Sequence, residues 1–146
     1  MVKSENHSKV FVDSSFFIAL SDRSSRYFSH CEEAWEILVT DRAPLVTSNL
    51  IFSETLTFLR YHAGFKVAKA FGEAFRRSKA VHVIWADSEW DELSWKIFLK
   101  YHDQKFSYVD CMSFAVMQRY EILEALSLDR DFVKAGFNLY PLTNSS

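Results

Sequence analysis

Four carboxylates in this sequence stand where an acid needs a physical reason. Asp13 follows the apolar run Val10-Phe11-Val12, and Asp129 follows Ala125-Leu126-Ser127-Leu128. Asp110 opens a helical pattern that is apolar nearly all round (Val109, Met112, Phe114, Ala115, Val116, Met117). Glu54 sits within an apolar stripe of another helix, formed by Leu50, Ile51, Phe58 and Tyr61. Burying it unpaired would be expensive, so it calls for a cation or a proton. Taken singly, these acids have ordinary explanations: Asp13 reads as a helix cap, and Ser107-x-x-Asp110 is formally a capping box. Taken together they point elsewhere. In a parallel sheet the strand ends and the helix starts that follow share one edge, so three of the four converge. Two carboxylates ~5 Å apart repel by about 3 kcal/mol at an effective dielectric of ~20. Arg130 is the only cation beside them in sequence. The cluster therefore implies a bound divalent ion, and oxygen-only ligands point to magnesium or manganese rather than zinc. Such a site suits phosphodiester hydrolysis, in which the metal activates water and neutralises charge on the phosphate.

Other chemistries fit less well. His7, His30, His62, His82 and His102 are scattered outside these segments and read as surface or core residues. Cys111 adjoins Asp110 but has no histidine near it, so it reads as a small buried helix residue rather than a nucleophile. Neither GxxxxGK[ST] nor GxGxxG occurs, which removes the usual nucleotide-cofactor motifs.

The elements that must position these acids alternate in type. Short apolar strands are expected at Val10–Val12, Leu45-Val46, Ala80–Trp85 and Ala125–Leu128, with a last edge strand at Leu139–Leu142. Helical periodicity is expected over Phe16–Leu20, about 27–39, about 49–62, 65–78, about 88–101 and from Ser107, with a brief helix after Asp131. In the helix over 65–78, Phe65, Ala68, Phe71 and Phe75 are predicted to face inward. Ser88-x-x-Asp91 matches a second capping box. Strands alternating with helices and helix pairs predict a mainly parallel sheet covered on both faces.

Composition sets the bounds. The 146 residues suffice for one domain with a real core. Hydrophobic residues make up 49% and aromatics 16%, so the chain is expected to be ordered, and three glycines and two prolines disfavour a turn-rich β sandwich. A net charge of −2 argues against nucleic-acid binding through overall charge, though not against a local basic strip. Cys31 and Cys111 lack metal-ligand spacing and read as buried thiols in a reducing compartment. The opening MVKSENHSK is polar and has no apolar core, so no signal peptide is expected. No apolar run approaches 18 residues, so no membrane span is expected. A cytoplasmic protein follows, with polar tails at 1–9 and 143–146 around a single domain at 10–142.

The ordered segments FVDSSFFIAL, TSNLIFSETLTFLR, FSYVDCMSFAVM and LSLDRDFVKAGF resemble the successive motifs of PIN-domain nucleases, and VapC-type toxins in particular. That resemblance implies a three-layer α/β/α Rossmann-like domain, with Asp13, Glu54, Asp110 and Asp129 as a magnesium-binding acidic set. Asp131 is an extra or substitute ligand; Asp129 is favoured because it directly follows the strand. Ser15 and Ser107 resemble the hydroxyls that orient a carboxylate or bound water in such sites. The implied activity is a metal-dependent endoribonuclease acting on single-stranded RNA, a homodimer that a cognate antitoxin holds in check as half of a type II toxin–antitoxin pair. The competing reading is a catalytically silent PIN-like module that binds RNA or protein. Against it, none of the four acidic positions is degraded to Asn, Lys or Ala.

Overall fold

The computed structural model describes residues 8–142; the tail expectations for 1–7 and 143–146 lie outside the described residues. Five strands of the described residues form one sheet: β1 (Val10–Val12), β2 (Leu45–Ser48), β3 (Val81–Ile84), β4 (Glu124–Leu126) and β5 (Asn138–Leu139). Their order is β3-β2-β1-β4-β5, and every pairing is parallel. β1 is the centre, with Val10 opposite Leu45 on one side and Glu124 on the other. All three of its residues are buried, as a strand covered on both faces requires.

Among the described residues seven helices complete the layers: α1 (Ser14–Ser21), α2 (Phe28–Thr40), α3 (Asn49–His62), α4 (Phe65–Arg77), α5 (Ser88–Lys100), α6 (Tyr108–Arg119) and α7 (Asp131–Lys134). Strand order runs one way from β1 to β3 and the other way from β4 to β5. Right-handed crossovers therefore put the two groups of helices on opposite faces. Ring contacts follow that division. Phe17 of α1 meets Trp35 of α2 and Phe71 and Phe75 of α4, whereas Phe114 of α6 meets Phe132 of α7 edge-on at 5.3 Å. Phe11 of β1 reaches Phe132 as well.

Several expectations are corrected by the fold. β3 is an edge strand and not a core one: only its Ile84 is buried, and the adjoining Trp85 is 66% exposed. β4 ends at Leu126, so Ser127 and Leu128 belong to the loop and Asp129 does not directly follow the strand. β5 is confined to Asn138–Leu139, leaving Pro141 outside the ladder. Asp87, rather than Ser88, caps α5, its side chain accepting from the Trp90 N–H. Phe65 is exposed at the start of α4 instead of facing inward. The buried residues of α3 are Ile51, Thr55 and Leu59, while Phe58 and Tyr61 of the apolar stripe containing Glu54 lie at the surface. Periodicity identifies residues that share a helix face; it does not identify what covers that face.

Phe114 is fully buried where α6, α7 and the Phe106 ring meet. Phe114→Ala is expected to cost about 3–5 kcal/mol of unfolding free energy, read as a lowered urea midpoint with unchanged slope.

Candidate functional site

The sheet order reverses at β1 and β4, which go on to opposite faces. A crevice outside the carboxyl ends of such a strand pair is where open α/β sheets bind ligands. The backbone extends this junction by one bond, from the Asp13 N–H to the Leu126 carbonyl at 3.1 Å. On the other side the Thr47 hydroxyl donates to the Val12 carbonyl at 2.7 Å. Asp13 is thereby fixed at the tip of the central strand.

Asp13 occupies the N-cap position of α1 with extended backbone angles, yet its side chain makes no capping bond. Its main-chain carbonyl instead accepts from the Phe16 and Phe17 N–H groups. The helix start therefore uses the backbone of Asp13 and leaves the carboxylate for other work. That carboxylate, 4% exposed, accepts at Oδ2 from the hydroxyls of Ser15 (2.9 Å) and Ser127 (2.8 Å). Each hydroxyl has one proton, so the 3.1 Å approach of the two serine oxygens follows from their shared acceptor. Their lone pairs then receive loop N–H groups: Leu128 donates to Ser15 and Asp129 donates to Ser127, both at 2.9 Å. The two serines thus tie the carboxylate after β1 to the backbone that carries Asp129.

Asp129 in turn accepts the Asp131 N–H at Oδ1, 2.9 Å away, which makes it the side chain that opens α7. Asp110 is held by the expected capping box: the Ser107 hydroxyl accepts from the Asp110 N–H, and the Ser107 N–H donates to Asp110 Oδ2. Carboxylate oxygens of Asp110, Asp129 and Asp131 lie within 4.8 Å of one another, and all three residues are partly buried. Asp131 lies in the first turn of α7 and also pairs with Lys134 at 3.6 Å.

Asp13 and Glu54 stand beside this trio and not within it. Glu54 is half-buried on α3, and its partner is a hydroxyl: Ser14 donates to Oε1 at 2.6 Å. Electrostatics connects the five acids. Burial pushes Asp13 above the ordinary carboxylate range, against the hydrogen bonds of Ser127 and Ser15, with the Glu54 charge adding to the rise. Asp110 is raised to about 6, first by burial and then by the charges of Asp13, Asp129 and Asp131. Mutual repulsion among partly buried carboxylates is what a divalent ion relieves, and an oxygen-only donor set fits magnesium or manganese. The trio could hold such an ion, with Asp13 close enough for its charge to act on Asp110.

Ser14 and Ser127 are the site residues that sequence reasoning missed. Ser127 carried a signal, a hydroxyl inside the apolar run Ala125–Leu128, since a buried polar group must find a partner. Cys111 is fully buried and its thiol is pushed up to about 11 by burial, in line with a structural role. The described histidines stay outside the acidic cluster; His62 reaches the Phe58 carbonyl of its own helix. A larger cleft of about 840 Å³ between α3 and α4 contains none of the five acids.

Comparison with known proteins agrees with this geometry. Residues 10–138 match the PIN domain family. The chain is 33% identical over 129 residues to the 23S rRNA-specific endonuclease VapC20 of Mycobacterium tuberculosis, covering 88% of this chain and 95% of that protein. The crystal structure of VapC20, a sarcin-ricin loop cleaving toxin, superposes with a TM-score of 0.80 at 32% identity over 88% of this chain and 95% of that one. FitAcB from Neisseria gonorrhoeae shares the fold, with a TM-score of 0.67 at 12% identity over 91% of this chain and 97% of that one. A match over nearly the whole domain, on a parallel sheet with its acids at the β1–β4 junction, makes the chain a member of the PIN domain family, related to the VapC toxins.

Proposed function

We propose that this chain is a magnesium-dependent endoribonuclease that hydrolyses single-stranded RNA and serves as the toxin of a type II toxin–antitoxin pair. The observation that carries the reading is the acidic trio at the β1–β4 junction, in a chain 33% identical to a 23S rRNA-specific endonuclease over 95% of its length. Manganese is the alternative ion. Asp110, Asp129 and Asp131 would hold the metal, and Asp13 and Glu54 complete the acidic set. Both Asp129 and Asp131 serve in this reading, because the turn that opens α7 presents them together. The ion supplies charge neutralisation at the phosphate and a lowered pKa for the attacking water.

The chain's own contribution is positioning. Ser15 and Ser127 hold Asp13 Oδ2 from two sides, Ser107 holds Asp110, and Ser14 holds Glu54. A site locked in this way loses little on reorganising when charge develops at the phosphate. No step requires a histidine base, and the mutual repulsion of the acids keeps the unliganded site ready for a cation.

The partners belong to the same proposal. Solved complexes sharing this fold include a toxin–antitoxin complex from Klebsiella pneumoniae, with a TM-score of 0.62 at 15% identity over 92% of this chain and 98% of that one. A protein antitoxin that covers the acidic edge is accordingly expected. A homodimer is supported by Trp95, Phe98 and Leu99, which leave an apolar face of α5 exposed. Among the described residues no helix is long and apolar enough to cross a membrane.

Asp13→Asn and Asp110→Asn are each expected to reduce cleavage of a fluorescent single-stranded RNA to background while circular dichroism stays native. EDTA should silence the wild type and added magnesium restore it; cleavage at full rate by either variant refutes the site. Ser127→Ala is expected to weaken magnesium binding roughly 10–100-fold in calorimetry, as loss of a group that orients a ligand does.

The pH dependence follows from Asp110. Its folded value of about 6 exceeds its ordinary 3.8, so between those values the folded, metal-free chain holds a proton that the unfolded chain has lost. Stability of the metal-free protein should fall as pH rises from about 4 to about 6. Magnesium competes with that proton, so its affinity should rise through the same range and level off above it. Thermal melts with and without magnesium, taken at each pH, read both effects.

A further inference from the structure

Phe58 and His62, one turn apart on α3, stack face to face at the surface. Their ring centroids are 3.9 Å apart and their planes 13° apart. Phe58 is 40% exposed and His62 is exposed, so neither ring is part of the core. The His62 Nδ1 lies 3.1 Å from the Phe58 carbonyl oxygen. A carbonyl only accepts, so Nδ1 carries the hydrogen, and this bond fixes the imidazole flat over the Phe58 ring. The stack is prepared before any ligand arrives.

Its position ties it to the acids. Glu54, Phe58 and His62 are successive i, i+4 neighbours on one helix face, so Phe58 stands about 6 Å along the axis from Glu54. The stack belongs to a cleft of about 460 Å³ that also includes Leu50, Glu54, Tyr61 and Val109. Glu54 lines the cleft itself, and Val109 on the facing wall directly precedes Asp110 in the chain. Tyr61, 82% exposed, adds a third ring at the rim.

We propose that the Phe58–His62 stack is a platform on which a nucleobase of single-stranded RNA rests while the neighbouring phosphate lies at the acidic centre. The proposal rests on the nuclease reading above and adds a binding subsite to it. The physical need is specific: a chain of net charge −2 with a cluster of carboxylates repels the very backbone it must hold. Stacking on aromatic rings supplies affinity that does not depend on charge and is available to every base, because every base has a π face. A preformed pair of parallel rings lowers the ordering cost of binding.

The test uses single-stranded RNA carrying 2-aminopurine, whose fluorescence is quenched when the base stacks. In EDTA, wild type and Phe58→Tyr should quench it, and Phe58→Ala should not. In magnesium, Phe58→Ala should raise KM for RNA cleavage roughly fivefold or more, with kcat unchanged. Phe58→Tyr should keep KM near the wild-type value, and magnesium binding by calorimetry should be the same in all three proteins. Because Phe58 is outside the core, the alanine variant should fold, which its melting temperature checks. If wild type cleaves RNA while Phe58→Ala leaves KM and quenching unchanged, the platform is overturned and the nuclease reading stands. If wild type cuts no RNA yet quenches the probe through Phe58, the nuclease reading fails and the platform survives. If Phe58→Ala keeps its KM but escapes inhibition by a cognate antitoxin, the cleft belongs to the protein partner and the proposal is overturned.

Discussion

The burial of one carboxylate governs this structure. Asp13 is almost wholly removed from water at the tip of the central strand, where an ionised group with no partner would be intolerable. Two serine hydroxyls from opposite ends of the chain meet at one of its oxygens, and the lone pairs of those serines then accept the N–H groups of the loop after β4. The solvation problem of a single side chain thus sets the conformation of the loop that presents Asp129 and, through it, Asp131. Removing either serine would leave Asp13 short of a donor and the loop short of an acceptor in the same step.

The hydroxyls do not neutralise anything. They lower the cost of an ionised Asp13, while burial and the Glu54 charge act the other way. Asp110 experiences the same imbalance from Asp13, Asp129 and Asp131. The fold therefore carries an unresolved electrostatic strain at one edge, offset by the large aromatic and aliphatic core on either side of the sheet. Active sites are where such departures from local consistency are expected.

Much of this was legible in the sequence, and the failures have physical causes. The sheet centre was readable because Val10-Phe11-Val12 is a short unbroken apolar run ending on an acid. The capping box at Ser107 was readable because it is a contact between residues three apart. The bonds of Ser14 to Glu54 and of Ser127 to Asp13 were not, since they join positions 40 and 114 residues apart that no local pattern relates. Strand bounds at β4 failed because Ser127 and Leu128 continue an apolar run while their N–H and hydroxyl groups already serve the site. The exposed stripe of α3 resembles core in the sequence because rings at helical spacing look alike whether their cover is this chain or a ligand.

The pairing of β1 with β4 joins Val10 to Glu124. Such a distant contact is costly to close, and it cannot form before β4 has been made. As residues leave the ribosome, α1 to α4 and the first three strands have local partners available, but Asp13 has no Ser127 and no loop to organise. The acidic set is completed only once residues up to Asp131 have been made. A chain shorter than this is consequently unable to assemble its centre, however well its first three strands are paired. Topology here acts as a timer.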